Sequence, residues 1–156
     1  MDQSRRDVLR AGGGASLFAL LATAGLLPPG AAQAAEISQK AFEAKNLKDA
    51  FDALGAGDRT ESADIVMTAP EIAENGAVVP IGAVSKLPGT ESIAILIAKN
   101  PTSLAASFDI PSGTEPAVNT RVKLAQTSDV HVLVKAQGKY YFAKKEIKVT
   151  IGGCGG

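Results

Sequence analysis

Cysteine and histidine occur once each in the 156 residues, and tryptophan is absent. A single cysteine, Cys154, rules out any disulfide within the chain, so the thiol is either reactive or available to pair between molecules. With His131 as the one imidazole, the residues for an ordinary His/Cys zinc site are lacking. A Cys154–His131 nucleophile pair is equally poorly supported, because glycines on both sides of Cys154 do not hold its thiol in one place. Charge of one sign is also missing: 16 basic residues balance 16 acidic ones, with no Lys/Arg cluster to follow a phosphate backbone, so nucleic acid is not an expected partner. The length allows one ordinary domain and no second catalytic one.

The N-terminal segment has the three parts of an export signal. Ser4-Arg5-Arg6-Asp7-Val8-Leu9-Arg10 precedes an uncharged stretch from Ala11 to Leu27, followed by Pro28-Pro29-Gly30 and the small residues Ala31-Ala32-Gln33-Ala34-Ala35. Gly12, Gly13, Gly14 and Gly25 interrupt the apolar part, which falls short of the roughly 20 strongly apolar residues of a membrane span. The paired Arg5 and Arg6 match the twin-arginine type of leader, which serves export of folded proteins, with Val8 where phenylalanine is commoner. Cleavage after Ala34 is expected, giving a periplasmic mature chain with no membrane attachment. Losing three arginines and two aspartates leaves it near neutral, with 13 basic and 14 acidic residues.

Four regions follow: a signal peptide over 1–34, an N-terminal helical region over 35–57, a β domain over 58–151 and a glycine-cysteine arm over 152–156. Phe42, Leu47, Ala50, Phe51 and Leu54 recur at helical spacing between Ser38, a candidate N-cap, and the stop signals Gly55 and Gly57, predicting one amphipathic helix over Ser38–Leu54. Short runs rich in Val, Ile, Thr and Tyr then alternate with Pro, Gly, Asn and Asp. Strands are predicted at Ile65–Thr68, Val78–Val84, Ser92–Ala98, Leu104–Ile110, Ala117–Leu124, Val130–Ala136 and Tyr140–Ile151, the last open to a break. The fold class is mainly β: an immunoglobulin-like antiparallel β-sandwich with one N-terminal amphipathic helix and a flexible C-terminal tail.

Asn75-Gly76 predicts a type I′ hairpin between Ile72-Ala73-Glu74 and Ala77-Val78-Val79. Pro88-Gly89 suits a type II turn, and Gln137-Gly138 joins the last two long strands. Val130, Val132 and Val134 alternate with more polar residues, as do Ile147, Val149 and Ile151, so one face of each strand is expected in the core and the other in water. His131 then lies on a solvated or partner-facing surface. Tyr140-Tyr141-Phe142 is assigned to packing on alternate faces, and Asp49, Asp52 and Glu61 to a solvated helix face and its exit.

The chemistry concentrates at the end of the chain. Gly152-Gly153-Cys154-Gly155-Gly156 follows a β-patterned strand, and its four glycines supply no side-chain packing at the largest backbone entropy cost of any residue. Such a segment is expected not to fold but to act as a thin arm, reaching about 17 Å at 3.3–3.6 Å per residue. No helix terminus or cation is visible to activate the thiol, and from a reference cysteine pKa of about 8.5 only a few per cent is thiolate at pH 7. Partners must therefore supply activation, as expected for a covalent carrier that is not itself an enzyme.

Ile147-Lys148-Val149-Thr150-Ile151-Gly152-Gly153-Cys154-Gly155-Gly156, together with Ile72-Ala73-Glu74-Asn75-Gly76-Ala77-Val78-Val79-Pro80, the Asn100-Pro101 step and the twin-arginine leader, resembles the SoxY family of thiosulfate-oxidation carriers. The resemblance implies a sandwich paired with a second subunit, SoxZ, in a SoxYZ complex. It also implies a thiosulfate-derived sulfur adduct on Cys154, formed by the haem enzyme SoxAX, hydrolysed by the manganese-dependent SoxB and, where present, oxidised by SoxCD. Haem and manganese then belong to the partners, and no cofactor is assigned to this chain. Two rivals stand beside this reading. One is a sulfur carrier of ubiquitin-like type, charged on the Gly156 carboxyl; the other is a periplasmic β-sandwich interaction module with an incidental or disulfide-forming cysteine.

Overall fold

The computed structural model describes residues 39–150. The signal peptide with Arg5 and Arg6, the candidate cap Ser38, Ile151 and the arm Gly152-Gly153-Cys154-Gly155-Gly156 lie outside the described residues. The expected single helix is interrupted. Residues 39–43 are helical, the chain opens over 44–46, and a second helix, α1, runs Leu47–Ala53. Asn46 causes the break: its backbone is extended (φ −144°, ψ 161°) and its side chain accepts a hydrogen bond from the Asp49 amide, capping the new helix. At the other end Gly55 turns left-handed (φ 74°), the Gly55 amide bonds Asp52 O and the Ala56 amide returns to Phe51 O. These are the paired bonds of a glycine-terminated helix, so the predicted stop at Gly55 is where α1 ends.

Nine strands follow among the described residues: β1 Arg59–Glu61, β2 Ile65–Thr68, β3 Ile72–Ala73, β4 Val79–Ser85, β5 Thr90–Ile97, β6 Leu104–Asp109, β7 Ala117–Val122, β8 Ser128–Ala136 and β9 Lys139–Val149. The larger sheet has the order β1-β9-β8-β5-β6 with β3 also on β9, and the smaller has the order β2-β4-β7. All seven predicted strands are present, and β9 is unbroken. Two short strands were not expected. Both β1 and β3 pair parallel to β9, at Tyr140–Phe142 and at Lys148-Val149, while β8 pairs antiparallel with it. The architecture is a mainly β two-sheet sandwich of immunoglobulin-like type.

Between the sheets lie Val79 and Ile81 of β4, Ile93, Ile95 and Ile97 of β5, Val130, Val132 and Val134 of β8, and Ile147 of β9, all essentially inaccessible to solvent. The other face of the larger sheet is not wet at its centre. Ala94 and Leu96 of β5, Leu104 and Leu133 are buried there under Ala41, Ala44, Ala50, Phe51 and Ala56 of the helical segments. The continuous apolar run Ile93-Ala94-Ile95-Leu96-Ile97 therefore has both faces covered, the pattern of a central strand. Burying a side chain such as Phe51 contributes about 1.5–3 kcal/mol, and this second layer is what fixes α1 to the sheet.

The turns divide in a way the dipeptides alone do not reveal. Gln137 (φ 51°) and Gly138 (φ 72°) supply the two positive angles of a two-residue hairpin joining β8 to β9. Gly89 (φ 66°) fits the turn predicted at Pro88-Gly89, where the Thr90 hydroxyl donates to Leu87 O at 2.9 Å. Asn75-Gly76 forms no hairpin. The strand before it, β3, pairs with β9 rather than β4, and Gly76 has no positive φ. Here Asn75 Oδ1 accepts from the Ala77 amide at 2.9 Å, a local side-chain turn. Gly76 is required for closeness instead: a Cβ there would lie 2.6 Å from Leu124 O and 2.9 Å from Val149 Cγ1.

Candidate functional site at the root of the C-terminal arm

The described residues end at Thr150, two positions before Gly152, so what the structure defines is how the end of β9 is held. Strand β9 is held along its last residues from two sides. On one side the Lys148 amide donates to Glu71 O at 2.9 Å and the Thr150 amide to Ala73 O at 3.2 Å; on the other, the Val149 amide donates to Thr127 Oγ1 at 3.0 Å. Ile147 is fully buried, and Val149 packs against the same core cluster. The chain up to Thr150 is thus part of the sandwich.

This mounting is itself braced. The Leu124 amide donates to Gly76 O at 2.7 Å, which holds the Asn75-Gly76 turn against Val149. Asn100 fixes the other side of Leu124: its Nδ2 donates to Lys123 O at 2.7 Å and its Oδ1 accepts from the Ala125 amide at 3.0 Å. A chain of short contacts therefore runs from Asn100 through Leu124 and Gly76 to the end of β9. The sequence offered Asn100-Pro101 and Asn75-Gly76 only as elements of a family resemblance; their physical connection is tertiary. Thr127 carries no local signal that would have singled it out.

His131 departs from its expected place. Its imidazole is half-buried beneath the helical layer, edge-on to Phe51 at 5.9 Å between ring centroids and 6.0 Å from Phe142. Nδ1 is buried without a hydrogen-bond partner among the described residues. The reason is that β8 presents Leu133 as well as His131 to α1, so its supposedly wet face is a second packing surface. Burial pushes the imidazole pKa below its ordinary value; the positive Lys144 and Arg59 act in the same direction, while Asp129 and Glu61 oppose it. Arg59 lies with its guanidinium 3.8 Å over the Phe51 ring, closing the cluster. Packed between the Phe51 and Phe142 rings, with Nδ1 unpartnered among the described residues, His131 is placed as a packing residue.

Tyr140 and Phe142 face the helical layer, with the Tyr140 hydroxyl donating to Leu54 O at 2.6 Å, and Tyr141 packs on the opposite side, as expected for alternate faces. Asp49 and Asp52 are solvated: Asp52 pairs with Lys48 on the exposed side of α1, and Glu61 is exposed on β1. Among the described residues no group of His, Cys, Asp and Glu is arranged to hold a metal ion.

Comparison with known proteins bears on what this braced strand end serves. The model of the family described as sulfur oxidation protein SoxY matches residues 51–154, ending on the cysteine. The solved structure of the sulfur carrier protein SoxY from Chlorobium limicola f thiosulfatophilum is similar at 42% sequence identity and a TM-score of 0.61, covering 72% of this chain and 98% of that one. A structure concerning toxic shock syndrome toxin-1 aligns over 55% of this chain and 99% of that one at 14% identity and a TM-score of 0.40, too remote to inform the fold. No match is found among curated proteins. The family match takes in the braced end of β9 and continues to residue 154, and the 42% identity extends over 72% of the chain, so this chain belongs to the SoxY family of sulfur oxidation proteins.

Proposed function

We propose that this chain is a periplasmic carrier of thiosulfate-derived sulfur, which it holds covalently on Cys154 while partner enzymes act on it. The observation that carries the reading is the contrast at residue 150: β9 is bonded on both sides up to Thr150, and the family match continues from there to Cys154 through Gly152-Gly153. A tethered thiol needs a firm base and a thin, unobstructed tether. Cys154 lies four residues beyond Thr150, so its Cα reaches at most about 14 Å from the sandwich.

The chemistry assigns little to the carrier itself. Joining the Cys154 thiol to the sulfane sulfur of thiosulfate forms an S–S bond and releases one proton and two electrons, which a haem enzyme of the SoxAX type accepts. Water then attacks the terminal sulfonate in a manganese enzyme of the SoxB type, releasing sulfate and leaving a persulfide on Cys154. A SoxCD-type dehydrogenase, where one is present, oxidises the retained sulfur. A thiol without local activation suits this sequence, because it forms an adduct only where a partner drives the reaction. SoxZ is proposed as the permanent partner and the twin-arginine route, through Arg5 and Arg6, as the means of export. The glycines at 152, 153, 155 and 156 let one arm enter differently shaped channels.

Cys154→Ser tests the proposal. It leaves the sandwich intact, since β9 is fixed by residues up to 150, and is expected to abolish thiosulfate-dependent respiration in cells that rely on this carrier. Retention of that respiration would instead favour an interaction module whose cysteine is incidental.

A further inference from the structure

We propose that the segment flanking the arm root carries a docking lip, centred on Ile72 and Val78, against which the mouth of a partner enzyme's active-site channel closes. The inference rests on the carrier reading, because it asks where a partner must touch in order to receive Cys154. Reach sets the answer. From the last strand bond, Thr150 N to Ala73 O, the Cys154 Cα is at most about 14 Å away whatever the arm's conformation. A reacting group recessed within an enzyme channel uses up most of that length, so the enzyme's surface must come up to the residues around Thr150. On one side those residues are the segment from Glu71 to Gly76, which bonds β9 through Glu71 O and Ala73 O and approaches Val149 at Gly76, with Val78 two residues further on and its amide bonded to Asn75 O; on the other side lies Thr127.

The side chains on that segment are what an intermittent contact needs. Ile72 is 57% exposed and Val78 is 51% exposed, the two highest values among the exposed large hydrophobics of the described residues. Neither side chain is part of a buried core cluster. Ala73, the other residue of β3, is the one that packs into the core, while Ile72 opposite Lys148 points outward; Val79 is buried while Val78 before it is not. Charges nearby are mixed in sign, with Glu71, Glu74 and Glu146 beside Lys145 and Lys148, so they give no strong field toward one sign of partner. The fitting partner surface is therefore a channel rim with an apolar contact surrounded by polar groups, like the core and rim of other interfaces. Because the reach is the same for every enzyme visited, successive enzymes meet the same lip one at a time.

The experiment uses the full carrier in its complex with its second subunit and follows oxidative loading of thiosulfate by the haem enzyme, with carrier concentration varied. The double variant Ile72→Ser/Val78→Ser is expected to lower kcat/KM by about ten-fold, chiefly through KM, as expected for removing a small apolar hot spot. Alkylation of Cys154 by iodoacetamide, thermal stability and subunit association should match the unaltered carrier. Val66→Ser/Val84→Ser, which alters exposed apolar side chains on the outer face of the smaller sheet, should load normally. Loading of the Ile72/Val78 variant within about two-fold of the unaltered carrier would overturn the proposal. So would loss of subunit association in that variant, which would make the lip a subunit interface, or a loading defect confined to the Val66/Val84 variant. Failure of the unaltered carrier to load would be a different result, refuting the carrier reading itself.

Discussion

Substitution of Gly76 distinguishes two physical reasons for a glycine at the arm root. In a type I′ hairpin Gly76 would be needed for a positive φ; Ala would then cost about 1 kcal/mol and Asn, which tolerates that region, considerably less. The structure gives a different reason. The φ of Gly76 is not in the left-handed region, and an added Cβ would lie 2.6 Å from Leu124 O and 2.9 Å from Val149 Cγ1. The first of these atoms is backbone and cannot swing away, so the turn and the strand end must separate. Overpacking of this kind costs about 1–3 kcal/mol, and strain on the 2.7 Å bond from the Leu124 amide to Gly76 O adds about 1 kcal/mol. Gly76→Ala is thus expected to lower unfolding stability by about 2–4 kcal/mol in urea denaturation, and Gly76→Asn at least as much. Amide hydrogen exchange should report faster opening at Lys148 and Thr150, whose bonds to Glu71 and Ala73 depend on the same segment. Wild-type stability for Gly76→Asn together with a loss of about 1 kcal/mol for Gly76→Ala would show that conformation, and not contact, is what this position requires.

His131 gives a pH dependence of definite sign. Its folded pKa lies below that of the unfolded chain, so between those two values the unfolded state binds more protons and stability rises with pH. Acidification from neutral pH through about 6.5 should therefore destabilise the fold, with a slope of at most about 1.4 kcal/mol per pH unit from this group. His131→Gln should remove that component in denaturation curves taken between pH 7 and pH 5; an unchanged slope would contradict the assignment. Asn100→Ala breaks the two bonds to Lys123 O and the Ala125 amide, and should cost about 1–3 kcal/mol by urea denaturation while increasing exchange at the Leu124 amide. Gln137→Asn, at the non-glycine residue with positive φ in the β8–β9 turn, should raise the melting temperature, since Asn adopts that conformation more readily.

What could be read from the sequence follows from where each signal is encoded. Alternation marks strands such as β8 and β9, because the core between two sheets imposes that period directly, whereas β5 shows as a short continuous apolar run bounded by turn residues. Arg59-Thr60-Glu61 has no such period and Ile72-Ala73 is too short to show one; they are strands because the edge of β9 opposite β8 is available to both. The helix break was hidden because Phe42, Leu47, Ala50 and Phe51 keep helical spacing across it, while the competing signal, Asn46 with Asp49 three residues on, lay within that pattern. Reading β8 as half-wet places His131 in solvent, whereas the structure covers it with Phe51 and Phe142. The correction was available in Leu133 and in the uninterrupted Ile93–Ile97 run, both of which call for a covering layer on the second face.

The candidate site divides along the same line. Cys154 and its glycines stand out from composition alone, since nothing in that tail can serve packing. The braced root could not be read in this way: Glu71, Gly76, Asn100, Leu124 and Thr127 are spread along the chain and meet only through the close approach of two turns to the end of β9. Family resemblance supplied the cargo, while the structure supplied the bonds that hold β9 up to Thr150.

The central claim is tested most directly by intact-mass and peptide mass spectrometry of the carrier isolated from cells respiring on thiosulfate. The account predicts a sulfur adduct confined to Cys154, absent from Cys154→Ser and removed by a thiol reductant. An adduct on the Gly156 carboxyl, or no adduct under conditions in which the cells oxidise thiosulfate through this carrier, would contradict it.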